Sequence, residues 1–398
     1  MPKIDEEKID HLLSRGVENI YPDKATLKKL LMSGKKIKLY CGYDPTAPSL
    51  HIGNAISMRK LAEFQKLGHE VIFLFGDFTA QLGDPDKLSV RKQLTHKEVL
   101  ENLKDWKKQI KNIIDIDKID FRFNSKWLKK MDFADIIDVA KHFTLQQIIA
   151  RDMFQKRIEE GRPLYLHEFF YPLMQAYDSV EMDVDLEIGG SDQTFNILCG
   201  RDLMKSMKGK EKFVLTMKLL VDPSGEKMGK SIGNTVNLTD KPEDAFGKVM
   251  SWNDNMIIQG FEILTDIPEG GIKMFEQDLK KGANPREIKF KLAEEVVRTF
   301  FGDKEAIEAG ESFNKQFRDH EKPQDIEEKT VKQKMMNIVD LIFELELASS
   351  KSEARRLVEQ GGVRVDDSKI TDAKEVLGIH DGMIVQVGKR KFVKISSK

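Results

Sequence analysis

The stretch Leu39-Tyr-Cys-Gly-Tyr-Asp-Pro-Thr-Ala-Pro-Ser-Leu-His-Ile-Gly-Asn54 decides how the rest of the chain is read. It starts as a short strand, Ile37 to Cys41, and turns through Gly42, Asp44-Pro45 and Pro48, all turn formers. It re-enters a helix near Ile52, and the apolar pattern continues through Ile56, Leu61 and Phe64. Strand, polar loop, helix is how α/β sheets present phosphate sites, because a helix N-terminus offers unpaired N–H groups. His51 and Asn54 sit about one turn apart at that N-terminus, so both face the same side. By itself a single His at a helix start reads more simply as a cap. It becomes specific when Lys227-Met-Gly-Lys230-Ser231 is read beside it.

Composition sets the bounds. A chain of 398 residues holds two or three domains. With a net charge of −1, any RNA contact must come from local patches rather than bulk charge. Two cysteines, Cys41 and Cys199, exclude a disulfide scaffold, and with no signal peptide the expected compartment is the cytoplasm. The apolar runs are far shorter than the roughly 20 residues of a membrane span, so no membrane partner is expected. Gly-x-Gly-x-x-Gly, the Walker loop, zinc-type Cys pairs and His-Glu-x-x-His are absent, and no dedicated metal site is expected.

Outward from the opening stretch, residues 1–35 read as helical, with Ile9, Leu12, Leu13 and Val17 at helical spacing. Glu70 to Gly76 is a near-continuous apolar run, as in a strand buried on both faces of a parallel sheet. The loop Asp77–Asp86 follows at its carboxyl end, where open α/β sheets place ligands, although Asp84-Pro85 alone reads as a turn. Residues 95–118 read as a charged amphipathic helix, Ile119–Asn124 as a strand, and 127–160 as helix. Arg151, Lys156 and Arg157 close that helix and read as a solvated face. In the next helix Tyr171, Gln175 and Asp178 fall at i, i+4 and i+7, so a phenol, an amide and a carboxylate share one face. Either that face is solvated or it lines a polar pocket. Val184–Ile188 alternates as a strand, and Gly189-Gly190-Ser191-Asp192-Gln193 follows it, with glycines that permit close backbone approach to a ligand. Leu215–Val221 reads as a strand leading into the lysine loop, whose two lysines suit a closing clamp on polyphosphate. From about 240 to 320 the pattern is helices without strands. Asp319–Lys334 is polar and reads as a linker. A small α+β unit follows, with helices Ile338–Leu345 and Ser350–Gln360 and strands Val363–Asp366, Met383–Val387 and Lys391–Ile395. Its Lys351, Arg355, Arg356, Lys389, Arg390, Lys391 and Lys394 form either a solvated surface or an electrostatic footprint for nucleic acid.

The pair His51-Ile-Gly-Asn54 and Lys227-Met-Gly-Lys-Ser231 resembles the two ATP motifs of class I aminoacyl-tRNA synthetases, HIGH and KMSKS. Tyr40-Cys-Gly-Tyr-Asp44, Gly76–Thr79 with Gly83-Asp84-Pro85, Tyr171–Asp178 and Gly190-Ser-Asp192-Gln193 are similar to the amino-acid pocket of the bacterial tyrosyl-tRNA synthetase family. Residues 338–395 resemble an RNA-binding domain shared with a small-subunit ribosomal protein. Three departures stand out: Asn54 replaces the final His, Gly229 replaces the first Ser, and Thr194-Phe195 stands where many relatives have Trp-Gly. A tryptophan-specific enzyme of the same fold is the nearest rival, and an RNA-binding derivative without activation is the rival from another class. The intact Lys227 and Lys230 argue against the second.

The resemblance implies an α/β architecture: a Rossmann-like catalytic domain over 1–236 with a connective insertion at about 120–170, and an all-helical domain over 237–320 that meets the anticodon stem. A linker over 321–335 and a small α+β RNA-binding domain over 336–398 complete it. It implies L-tyrosine, ATP with Mg²⁺, and tRNA(Tyr) as partners, and a homodimer formed through the 120–170 region. For catalysis it implies His51, Asn54, Thr46, Lys227 and Lys230. For tyrosine it implies Tyr40 and Asp178 at the phenol hydroxyl, Tyr171, Asp84 and Gln175 at the ammonium with Thr79 nearby, and Gln193 at the carboxylate. For ATP it implies Cys41, Gly42, Asp44, Gly53, Gly190, Asp192, Met228 and Ser231 beside the catalytic set. For tRNA it implies Lys351, Arg355, Arg356, Lys389, Arg390 and Lys394.

Overall fold

The computed structural model describes residues 5–85, 93–221, 235–318, 326–331, 333–366, 368–388 and 391–396. They form two compact units, Met1–Ala309 and Gly310–Lys398.

The first unit is built on a six-stranded sheet of β1 (Val17–Tyr21), β2 (Lys38–Tyr43), β3 (Glu70–Phe75), β4 (Asp120–Phe123), β5 (Leu186–Gly190) and β6 (Phe213–Met217). Their order across the sheet is β1-β6-β5-β2-β3-β4. All neighbours are parallel except β1 against β6. β3 is buried on both faces, as its unbroken apolar run requires. From β2 the chain passes through the helix Ile52–Lys66 to β3 and β4 on one side, and later returns to β5 and β6 on the other. β2 and β5 therefore part at a topological switch point, and the crevice at their carboxyl ends is where such sheets bind ligands.

In the first unit three expectations needed correction. Residues 1–35 are not wholly helical: the first helix stops at Leu12, the chain turns through Gly16 at a positive φ of 65°, and Val17–Tyr21 then pairs with β6. The long helices expected over 95–118 and 127–160 are broken into short ones. Within 127–160, Asp132 and Thr144 each accept a backbone N–H three residues on and so start new helices. The basic stretch at 151–157 is not a solvated face, because Arg151 and Arg157 are buried and only Lys156 is exposed. Arg157 is held by both oxygens of Glu168, with Nη1 at 2.6 Å from one and Nη2 at 3.0 Å from the other.

The helices Pro242–Met250, Ile257–Leu264, Glu269–Lys280 and Pro285–Phe300 belong to the same compact unit as the sheet. Arg15 shows why. Its buried guanidinium donates to the carbonyls of Phe261 (3.1 Å), Glu262 (3.0 Å), Thr265 (2.6 Å) and Ile267 (2.5 Å). It thereby satisfies the free end of the Ile257–Leu264 helix, and Arg59 adds a bond to Thr265 O at 3.1 Å.

The second unit is a five-stranded sheet in the order Ser368–Ile370, Val363–Val365, Ile384–Val387, Lys391–Ser396, Glu327–Thr330, covered by the helices Ile338–Glu344 and Lys351–Glu359. Its core includes Ile338, Leu341, Ala354, Val358, Val363, Val385 and Ile395. Glu327–Thr330 falls inside the expected linker yet runs parallel to Lys391–Ser396 as an edge strand. Its polar sequence hid it, since an edge strand with three of four residues exposed needs no apolar alternation.

Arg15→Met is expected to lower stability by roughly 1–3 kcal/mol, because it strands buried carbonyls at a helix end. Urea unfolding of the variant reads this directly, and an unchanged midpoint would refute the clamp.

Candidate active site

A cavity of about 1460 Å³ opens at the switch point. Its lining includes every described residue that sequence reasoning assigned to amino acid and nucleotide: Tyr40, Cys41, Gly42, Asp44, Thr46, His51, Gly53, Asn54, Thr79, Asp84, Tyr171, Gln175, Asp178, Gly190, Asp192 and Gln193. Lys227, Met228, Lys230 and Ser231 lie outside the described residues. Leu219, Leu220 and Thr235, which flank that stretch, line the cavity.

The residues from the strand ends and from the helix Phe170–Met182 form two hydrogen-bonded groups. In the first, Thr79 Oγ1 donates to Asp44 Oδ1 at 2.7 Å and Tyr171 Oη donates to Asp44 Oδ2 at 2.8 Å. Asp44 thus stands with residues expected at the amino acid rather than with the phosphate set. Gly76 makes this possible, since a Cβ there would lie 2.0 Å from Asp44 Oδ1 and 2.4 Å from Thr79 Oγ1. Asp84 accepts from Arg151 Nη2 and from Gln193 Nε2, each at 2.7 Å.

In the second group, buried Asp178 accepts from Trp127 Nε1 at 2.7 Å and from Asn124 Nδ2 at 3.2 Å. Asn124 also donates to Thr79 Oγ1 at 3.0 Å, which joins the two groups. Tyr40 Oη lies 2.8 Å from Ser179 Oγ. Gln175 Nε2 donates to Glu187 Oε1 at 3.1 Å. Glu187 also takes the ammonium of fully buried Lys212.

Burial dominates the electrostatics. It pushes the Asp178 carboxyl well above the usual range, against the two N–H donors that pull it down. Burial, then the Glu187 and Asp178 charges, keeps the Tyr40 phenol protonated far above its ordinary value. Burial, then Asp44 and Asp84, does the same for Tyr171. Burial pulls the Lys212 ammonium down, and the Glu187 carboxylate works against that pull.

On the phosphate side, Asn54 Oδ1 accepts the His51 backbone N–H at 3.1 Å. The amide oxygen is thereby used at the helix start, which leaves its NH₂ as the group able to meet an anion. Main-chain bonds tie this helix start to the segment after the lysine stretch: Ile52 N donates to Val236 O at 3.0 Å and Leu238 N to Leu50 O at 2.8 Å. The helix start at His51 is thus fastened by backbone to Val236 and Leu238, far away in sequence.

Sequence reasoning missed Asn124, Trp127, Arg151, Ser179, Glu187 and Lys212. Asn124 had a usable signal, since it follows a strand at the sheet's carboxyl edge. Lys212 had none, because it sits in Lys-Gly-Lys-Glu-Lys212, which reads as a solvated turn. Among the described residues no group of three or more His, Cys, Asp or Glu is placed to hold a metal ion, and no helix is long and apolar enough to cross a membrane. In the second unit Arg355 and Arg356 are exposed. Lys351 pairs with Asp340 and Lys394 with Glu328, both at 2.7 Å. Lys389 and Arg390 lie outside the described residues.

Comparison with known proteins gives the family. A family model described as tRNA synthetases class I (W and Y) matches residues 32–318, and one described as the S4 domain matches residues 336–382. The tyrosine–tRNA ligase of Thermotoga maritima is 43% identical over 388 residues, 97% of this chain and 96% of its own. That of Moorella thermoacetica is 40% identical over 390 residues, 96% and 94% of the two chains. Among solved structures, the tyrosyl-tRNA synthetase of Archaeoglobus fulgidus complexed with L-tyrosine matches with a TM-score of 0.60 at 22% identity, covering 77% of this chain and all of its own. At that identity it supports the fold alone. The chain belongs to the class I aminoacyl-tRNA synthetases of the tryptophan and tyrosine group, and within them to the tyrosine–tRNA ligases. Its reaction consumes L-tyrosine and ATP and esterifies tRNA.

Burial pushes the thiols of Cys41 and Cys199 up to about 12. At pH 8 roughly one thiol in ten thousand is then the reactive thiolate. Iodoacetamide is expected to leave both unmodified in the folded protein and to label both in urea, although Cys41 lines the cavity. Rapid stoichiometric labelling of folded protein, read by mass spectrometry, would contradict this.

Proposed function

We propose that the cavity binds tyrosine with its phenol hydroxyl at Tyr40 and Asp178 and its ammonium at Asp44, Asp84, Tyr171 and Gln175. The observation that carries this reading is Asp178, a buried carboxylate at the wall of a cavity, held by two N–H donors and still able to accept a third bond. Asp84 likewise keeps lone pairs beyond those used by Arg151 and Gln193, so it can still accept from an ammonium.

The substrate carboxylate attacks the α-phosphorus of ATP, and pyrophosphate leaves. A terminal ribose hydroxyl of tRNA then takes the tyrosyl group. The attacking carboxylate is already an anion, so the first step needs no general base. Its rate comes from alignment and from stabilising charge on the transferred and leaving phosphates. His51, Asn54, Thr46, Lys227 and Lys230 supply that stabilisation, while Cys41, Gly190 and Asp192 stand on the ribose side with Gly42, Gly53, Met228 and Ser231. Magnesium bound with ATP would offset charge on the phosphates. The work is done in the cytoplasm.

Selectivity follows from hydrogen bonding. Phenylalanine would leave the polar groups of Tyr40 and Asp178 without their partner, which discriminates by roughly 10⁴–10⁵ in sites of this kind. Tyr40→Phe and Asp178→Ala are expected to erode the tyrosine-over-phenylalanine ratio of kcat/KM in pyrophosphate exchange, Asp178→Ala more. A wild-type ratio in Asp178→Ala would remove the pocket assignment. Exchange with tryptophan instead of tyrosine would support the rival specificity.

A homodimer through the 120–170 region accounts for Phe133, Leu145 and Leu166, which are 77%, 64% and 73% exposed. Phe133→Asp combined with Leu166→Asp is expected to sediment as a monomer, and an unchanged coefficient would move the interface elsewhere.

The second unit grips tRNA through Lys351, Arg355, Arg356, Lys389, Arg390 and Lys394. The ion pairs of Lys351 and Lys394 are exposed and screened by solvent, so phosphates can displace them. A chain ending near Lys322 is expected to keep pyrophosphate exchange and to aminoacylate poorly, with a flatter salt dependence. Full aminoacylation would refute the tRNA role, and loss of both activities would make the unit a structural support.

A further inference from the structure

Behind Tyr40 lies a cluster that the reaction described so far does not use. Lys212 is fully buried, and its ammonium donates to Ser179 Oγ at 2.8 Å, to Ile197 O at 3.2 Å and to the Glu187 carboxylate. An ammonium has three donors and no acceptor, so all three are spent here. Ser179 Oγ lies 2.8 Å from Tyr40 Oη, with either atom able to donate, and 3.1 Å from Glu187 Oε2. Glu187 Oε1 takes Gln175. Gly200, inside the helix Thr194–Lys208, makes the room: a Cβ there would stand 2.6 Å from Lys212 Nζ and 3.0 Å from Ser179 Oγ.

Counting protons exposes a choice of direction. Ser179 accepts from Lys212 and owns one proton, which goes either to Glu187 or to Tyr40. If it goes to Glu187, Tyr40 donates inward and shows only lone pairs to the cavity. If it goes to Tyr40, the Tyr40 proton points outward. Glu187 is satisfied in both cases, because Lys212 and Gln175 stay on its two oxygens. Each Asp178 oxygen takes an N–H donor, an arrangement that favours the ionised form against the upward push of burial, so toward the cavity Asp178 is an acceptor. A phenol beside it gives its single proton to Asp178 and then needs a donor from the other side. Only the outward direction supplies one.

We propose that Lys212 is a specificity-determining positioning residue: by donating to both Ser179 Oγ and Glu187 it holds Ser179 in place and satisfies Glu187, so that the Ser179 proton is free to pass to Tyr40 and Tyr40 donates to the phenol oxygen of bound tyrosine. This rests on the placement of the phenol at Tyr40 and Asp178. With phenylalanine there is no oxygen to receive the Tyr40 proton, and the hydroxyls turn back toward Glu187.

Two variants test this in the full chain. Ser179→Ala keeps the Lys212–Glu187 pair, and Lys212→Met with Glu187→Gln removes both charges together so that no lone charge is buried. In pyrophosphate exchange each is expected to lower kcat/KM for tyrosine about two- to tenfold, the weight of one neutral hydrogen bond, while phenylalanine stays within about twofold. The loss is expected in KM rather than kcat. In a Tyr40→Phe background neither change is expected to move the tyrosine-to-phenylalanine ratio further, since the chain then has no end to direct. A parallel fall for both amino acids, or effects that simply multiply with Tyr40→Phe, would reduce the cluster to structural support and overturn the proposal. If Tyr40→Phe alone leaves the ratio at wild type, it is the phenol placement that fails.

Discussion

Four carboxylates, Asp44, Asp84, Asp178 and Glu187, stand within one cavity wall, and the site depends on keeping them there. Taking an anion out of water costs several kcal/mol unless its oxygens are bonded. Each of the four has a donor on both oxygens: Thr79 and Tyr171, Arg151 and Gln193, Trp127 and Asn124, Gln175 and Lys212. Those donors come from strand ends, from the helix Phe170–Met182 and from the segment around Arg151. Positions that look like packing details follow from this need. Gly76 and Gly200 lack a Cβ because one would strike the bonded atoms.

The same need explains why the cavity reads polarity so sharply. A carboxylate held by N–H donors accepts further bonds without moving, so it meets the substrate already oriented. Of the two polar ends proposed for the pocket, only the one at the hydroxyl separates tyrosine from phenylalanine, since every amino acid carries the ammonium. Asn124, bonded to both Asp178 and Thr79, mechanically links the Asp178 end of the cavity to the end built around Asp44.

Five strands of the sheet, β2 to β6, and the polar helix face were legible in local pattern, while most of the cavity residues were expected only through the family resemblance. β3 is an apolar run, and Tyr171, Gln175 and Asp178 fall on one helical face. What stayed hidden lies one layer deeper and depends on partners far away in the chain. Arg151 and Arg157 carry the composition of a wet surface and become core residues only because Asp84 and Glu168 meet them. Lys212 is the extreme case, a charge within a polar run that is drawn inside by Glu187. Glu327–Thr330 escaped for the opposite reason, since an exposed edge strand leaves no apolar trace.

β1 has a consequence during synthesis. Its Asn19 bonds to Thr216, 197 residues later in the chain. A ribosome adding about 5–20 residues per second needs on the order of 10–40 s to deliver that partner. Through that interval the nascent amino-terminal strand has no sheet to join, and its unpaired backbone groups are open to other chains. Arg15, just before it, waits longer still for the carbonyls of Phe261 to Ile267. A segment made early is thus among the last to find its place, and the sheet gains this edge only when the residue 197 positions later has been made.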